Sequence, residues 1–102
     1  MPTFVTVCTA EELPPGSRAV YDINGLYVAI FNVNGRYYAI EDRCTHDDGP
    51  LAEGELNGAT IECPRHGATF DVTTGAVLSL PAVKPVARYA TRVVGNEVQV
   101  EV

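Results

Sequence analysis

Positive charge is scarce in this chain. Seven lysines and arginines stand against thirteen aspartates and glutamates, a net charge of −6 over 102 residues. A basic footprint for nucleic acid is therefore missing, and neither DNA nor RNA is an expected partner. The acidic balance suits a basic protein partner, although its plainest meaning is solubility. Long apolar runs are missing too: no stretch approaches the roughly 18 residues that span a bilayer, so no membrane role is expected. The first seven residues, Met1 to Val7, carry no positive segment and no cleavage signal, and do not read as a secretory leader. Cysteine is limited to three residues, at 8, 44 and 63. An odd count would leave one thiol over, which argues against a disulfide framework and for a reducing cytoplasm.

What is present suffices for one domain. With 46% hydrophobic residues, a chain of this length buries roughly two-thirds of its unfolded surface. The pattern is β-rich. Phe4 to Val7 alternates as a first strand, and Thr9-Ala10-Glu11-Glu12 fits a capping box opening one short helical turn. Arg18–Ile23, Leu26–Val33 and Arg36–Glu41 read as a three-strand meander, because Asn24-Gly25 and Asn34-Gly35 are two-residue hairpin signals. Short strands are expected at Ala59–Glu62 and Thr69–Val72, with an extended stretch at Ala76–Leu80. A closing hairpin is expected from Tyr89–Val94 and Glu97–Val102 about Gly95-Asn96. Cys8, at the end of the first strand, reads as a small buried hydrophobe. The tyrosines at 21, 27, 37, 38 and 89 read as packing residues. Many short strands with glycine turns imply an all-β fold, an antiparallel sandwich or small barrel.

The least strand-like segment, about 42–75, carries the chemistry. Both histidines and two of the three cysteines fall there, as Cys44-Thr45-His46 and Cys63-Pro64-Arg65-His66. Each pair couples a soft thiolate to an imidazole on a short loop. Two such loops brought together give a Cys2His2 set, which suits zinc or an iron–sulfur cluster. The one-residue gap in the first pair is awkward for zinc, because adjacent extended side chains point to opposite faces. A zinc-bound structural module stays open as an alternative, as does a purely structural role.

Cys-x-His, sixteen residues, then Cys-x-x-His resembles the Rieske 2Fe–2S motif. The likeness extends to Pro64, Gly67, Phe70, Asp71 and Gly75, to Pro81, and to the stretch from Pro85 to Tyr89. It covers nearly the whole chain, 1–102, and is similar to the ferredoxin component of bacterial ring-hydroxylating dioxygenase systems. The resemblance implies one Rieske-type cluster, with Cys44 and Cys63 on one iron and His46 and His66 on the other. It implies a β base and a cluster-binding subdomain formed by two loops, with the histidine-bound iron nearest solvent. Asp48, Gly49, Pro64, Arg65, Gly67, Ala68 and Phe70 would surround the cluster.

High-potential members of that family carry an extra cysteine in each loop, joined as a disulfide. Gly49 and Arg65 stand at those positions here. Such members also aim a serine and a tyrosine hydroxyl at the cluster sulfurs, where this chain has Ala68 and Phe70. Asp47 and Asp48 add negative charge beside His46. All of this points to the low-potential class, near or below about −150 mV.

The implied function is one-electron transfer from a flavin-dependent reductase to a terminal oxygenase, by a monomer with no catalytic residue of its own. The chain alone could not hydroxylate anything, because both histidines are used by the cluster. The small Rieske subunit of an assimilatory nitrite reductase is the alternative, and four intact ligands count against it. Pro50 and Pro64 would stiffen the loops. Arg65 would support its loop or meet a partner's carboxylate. Asp47, Asp48, Glu53, Glu55 and Glu62 would form an acidic rim open to a basic partner.

Overall fold

The structure, a computed structural model, describes residues 3–45, 49–65 and 67–102. Among the described residues ten strands run in chain order: β1 Phe4–Thr9, β2 Arg18–Ile23, β3 Leu26–Val33, β4 Arg36–Glu41, β5 Leu56–Asn57, β6 Thr60–Glu62, β7 Thr69–Asp71, β8 Arg88–Tyr89, β9 Thr91–Val94 and β10 Glu97–Glu101. One 3₁₀ turn, Ala10–Glu12, follows β1. The Glu12 carboxylate closes it by accepting from the Thr9 N–H at 3.1 Å and the Thr9 hydroxyl at 3.0 Å.

The meander forms as its turns dictate. Asn24 and Gly25 take φ of 53° and 89°, and Asn34 and Gly35 take 54° and 90°. Those are the left-handed values that a tight hairpin turn between right-twisted strands requires. Each turn is held from two residues upstream. Asp22 Oδ1 accepts from the Gly25 N–H, and Asn32 Oδ1 from the Gly35 N–H, both at 2.8 Å.

Three antiparallel sheets result, in the orders β1-β10-β9, β2-β3-β4-β8 and β5-β6-β7. Strand β3 shows how they stack. Its residues 28–32 are all buried, and successive side chains divide between two cores. Val28 and Ile30 pack with Cys8, Leu13, Ala39, Val98 and Val100. Ala29 and Phe31 pack with Ile40, Cys44, Cys63 and Phe70. The four-stranded sheet is thus the middle layer, with β1-β10-β9 below it as the base and β5-β6-β7 above it in the tip. Phe31 and Phe70 are fully buried, and each such ring stabilises the fold by roughly 1.5–3 kcal/mol.

Cys8 is buried in the base core beside a register shift in the β1–β10 ladder. Two sequence expectations need correction. The strand foreseen over Tyr89–Val94 breaks at Ala90: β8 pairs with β4 in the middle layer, and β9 pairs with β10 in the base. Two sheets claim successive backbone groups there, since the Ala90 carbonyl accepts from the Glu101 N–H at 2.9 Å while Tyr89 is paired to Ala39. The stretch 76–80 forms only a single bridge, Val77 to Phe70, and not a strand. Strand β5, two residues long, carried no pattern the sequence could reveal.

Candidate metal centre

Two loops leave the ends of strands and close in the same way. The first begins after β4. Asp42 anchors it, its Oδ1 accepting from the Leu51 N–H at 2.9 Å and the Ala52 N–H at 2.7 Å. Within that frame the Cys44 N–H donates to the Gly49 carbonyl at 2.8 Å. The second loop begins after β6, where the Cys63 N–H donates to the Ala68 carbonyl at 2.7 Å. The Gly67 N–H donates back to the Cys63 carbonyl at 3.1 Å, and Gly67 takes a φ of 78° that favours glycine. Each cysteine therefore bonds to the carbonyl five residues on. This repeated closure presents the two cysteines from equivalent positions.

Both thiols are buried, with Cys44 0% and Cys63 1% exposed. They lie in one apolar cluster with Leu51, Ala52, Ala68, Phe70, Ala82 and Val86. Neither is in a disulfide. Two soft sulfur side chains in one apolar cluster suit a thiophilic metal such as zinc or the iron of an iron–sulfur centre. The donor set thus fits a thiolate-bound metal on the cysteine side. His46, Asp47, Asp48 and His66 lie outside the described residues. Among the described residues no group of three or more His, Cys, Asp and Glu side chains converges.

A third segment covers the cysteines. Ala82 and Val86 are buried in the same cluster, while Leu80 and Val83 face outward, 74% and 72% exposed. The residue after the first cysteine fastens this cover, as the Thr45 hydroxyl donates to the Lys84 carbonyl at 2.6 Å. Thr69 and Ser79 fasten its other end through a hydroxyl pair at 2.7 Å. Two glycines allow the layers to approach. A Cβ at Gly54 would fall 1.6 Å from the Glu62 carbonyl oxygen, and one at Gly75 would fall 2.3 Å from the Val86 carbonyl oxygen.

The other foreseen site residues are placed as follows. Gly49 is buried, and Pro64 and Arg65 are exposed on the second loop. Ala68 and Phe70 are fully buried and bring no hydroxyl. Glu53 and Glu55 are exposed and Glu62 is half-buried. Sequence reasoning missed Asp42, Thr45, Gly54 and the cover residues Ala82 and Val86. An aspartate directly after a strand was the one available signal, since such a side chain readily accepts from nearby backbone N–H groups.

Residues 3–90 match the family model described as the Rieske [2Fe-2S] domain. The chain is 40% identical over 100 residues to the biphenyl dioxygenase ferredoxin subunit of Pseudomonas sp. (strain KKS102), covering 97% of this chain and 92% of that one. The ferredoxin of carbazole 1,9a-dioxygenase from Nocardioides aromaticivorans IC177 superposes with a TM-score of 0.91 at 38% identity, covering 96% of each chain. A second solved structure, a complex of reduced oxygenase and oxidized ferredoxin in carbazole 1,9a-dioxygenase, aligns at TM-score 0.91 and 38% identity over 95% of this chain and 91% of that one. No helix among the described residues is long and apolar enough to cross a membrane.

Proposed function

The chain belongs to the Rieske [2Fe-2S] domain family, and on that premise we propose that Cys44, His46, Cys63 and His66 hold its one cluster, the cysteines on one iron and the histidines on the other. The observation that carries this reading is the matched closure of the two cysteine loops over two buried, unbridged thiols. When bound, the cluster accepts and gives up a single electron.

The chain's own residues set the terms of that exchange. Two thiolates and two neutral imidazoles would leave an oxidised unit of two ferric ions and two sulfides formally uncharged, so an electron is added more easily than to a four-thiolate site. The cover over Ala82 and Val86 keeps water from the cysteine side. Ala68 and Phe70 offer no hydroxyl to offset the added negative charge, which supports a potential near or below about −150 mV. Asp48, Gly49, Pro64, Arg65 and Gly67 complete the surroundings in this reading.

We take the partners to be a terminal oxygenase acting on an aromatic ring and a flavin-dependent reductase. The ferredoxin–oxygenase complex of a relative supports the first. The reductase rests on the need for a donor. Three unbridged cysteines support a cytoplasmic setting. The division into a single domain, 1–102, with a cluster subdomain over about 42–75 is part of the same proposal. The nitrite-reductase alternative is not favoured, because the relatives are dioxygenase ferredoxins.

Reconstitution with iron and sulfide tests the ligand set. About two irons and two sulfides per chain are expected, with a red-brown oxidised form and a rhombic EPR signal on reduction. Cys44→Ser and His66→Ala should each abolish that signal. A colourless protein retaining zinc would overturn the proposal.

A further inference from the structure

Three of the chain's seven cations, Arg36, Arg88 and Arg92, meet at one open groove of about 420 Å³ where the middle sheet meets the outer strand of the base sheet. Among the described residues no acidic side chain lines it, although the chain as a whole carries −6. The β4–β8 register sets Arg88 opposite Ile40, so Arg36, Tyr38 and Arg88 share one face of the middle sheet. Arg92 is held from the other side. Its guanidinium stacks 3.9 Å from the centroid of the Phe4 ring, and its Nε donates to Gln99 Oε1 at 2.7 Å.

The groove runs between two strand edges. Strand β9 is the outer strand of its sheet. Strand β8 pairs with β4 only at Ala39 and Ile40, and among the described residues Arg36–Tyr38 join no ladder on that side, where β9 meets β4 through the Thr91 side chain. The hairpin fixes which backbone groups face outward. Val94 pairs with Glu97 across the two-residue turn, and the Glu101 N–H donates to Ala90. Antiparallel alternation therefore turns the N–H and C=O groups of Thr91 and Val93 away from β10 and toward the groove. The Thr91 hydroxyl crosses it to donate to the Tyr37 carbonyl at 2.5 Å. Val93 and Val94 lie beyond, about half exposed.

We infer that this groove is a docking site for an extended, acidic segment of a protein partner, added as a strand along β9 with its carboxylates on Arg36, Arg88 and Arg92. An edge strand offers donors and acceptors in alternation, which a peptide backbone matches and a phosphate does not. Guanidinium groups pair with carboxylates bidentately, which adds selection for acidic side chains. A second copy of the chain fits poorly, because β9 against β9 would bring arginine to arginine between two bodies of like net charge. The groove runs from the Arg36 end toward the tip, since Arg88 pairs opposite Ile40 and lies two residues from the cover residue Val86. Strand β4 leads from Arg36 to the first loop at Asp42 over about 20 Å of extended chain. A partner held along this groove thus raises its own local concentration at the tip.

The test uses the cluster-loaded protein and a labelled, acetylated six-residue peptide alternating glutamate and valine, followed by fluorescence anisotropy. Binding is expected, and raising salt from 50 to 500 mM should weaken it several-fold. The double variant Arg36→Glu/Arg88→Glu should weaken it at least tenfold while its cluster spectrum stays unchanged. Arg36→Lys/Arg88→Lys, which keeps the charge but loses the bidentate fork, should weaken it by less than the charge reversal does. A peptide with central proline should lose binding, because it cannot complete the edge ladder. Equal binding of a lysine–valine peptide, an unaffected charge-reversal variant, or a dimer through this edge in sedimentation would each overturn the inference.

Discussion

In the base and middle layers each strand is fixed over its length by its neighbours. β3 shares six paired residues with β2 and six with β4, and β1 shares five with β10. In the tip, β5 and β6 share two and β6 and β7 share three. There the work of holding the chain passes to side chains and close backbone approaches: the Asp42 carboxylate on two N–H groups, the Thr45 hydroxyl on the cover, and Gly54 against Glu62. Ladders tolerate many sequences, provided the alternation and the turns are right. A site built from loops depends on individual atoms, which is what positioning ligands requires and what makes it fragile.

Gly54→Ala should break the tip hardest. The added methyl would occupy the place of a carbonyl oxygen 1.6 Å away, and overpacking of this kind costs about 1–3 kcal/mol or more. Loss of the visible cluster spectrum is expected, with the far-UV signal of the base strands largely kept. Gly25→Ala gives the contrast. Its Cβ meets open space at a φ of 89°, so the cost is a left-handed penalty of about 1–2 kcal/mol. That should appear as a lower Tm with the cluster retained.

Asp42→Ala removes the acceptor for two backbone N–H groups and should cost about 1–3 kcal/mol. Faster release of iron to a chelator would report it, and Asp42→Asn should restore much of the loss because its amide oxygen still accepts. A smaller effect, about 1 kcal/mol, is expected of Thr45→Val, again read as iron release, with Thr45→Ser close to the parent.

The base has its own signature, in alkaline pH. Burial raises the Tyr21 phenol above its ordinary value, helped by a hydrogen bond with Cys8, and burial raises Tyr89 with Glu41 nearby. Unfolded tyrosines lose their protons near 10, while these stay protonated in the fold. The unfolded chain then binds fewer protons, so stability falls as pH rises past 10. Denaturant midpoints between pH 9 and 11 should show this decline, and Tyr21→Phe should flatten it.

The same contrast explains what the sequence disclosed. The meander was legible because alternation and the two Asn-Gly turns are local signals. The four ligand candidates were legible because cysteine and histidine are rare enough for their spacing to carry meaning. The break at Ala90 was hidden, since nothing between Arg88 and Val94 marks a change of sheet and the cause lies in Tyr37 and Glu101, far away in the chain. Gly54 and Thr45 were hidden for the same reason, each acting on a residue outside its own loop.

The central claim is the mixed ligation of one cluster, and its most direct test is ENDOR spectroscopy on the reduced protein carrying ¹⁵N-histidine. With both histidines on one iron, two inequivalent nitrogen couplings are expected in the wild-type chain. A spectrum with no nitrogen coupling, or with only one, would contradict the account.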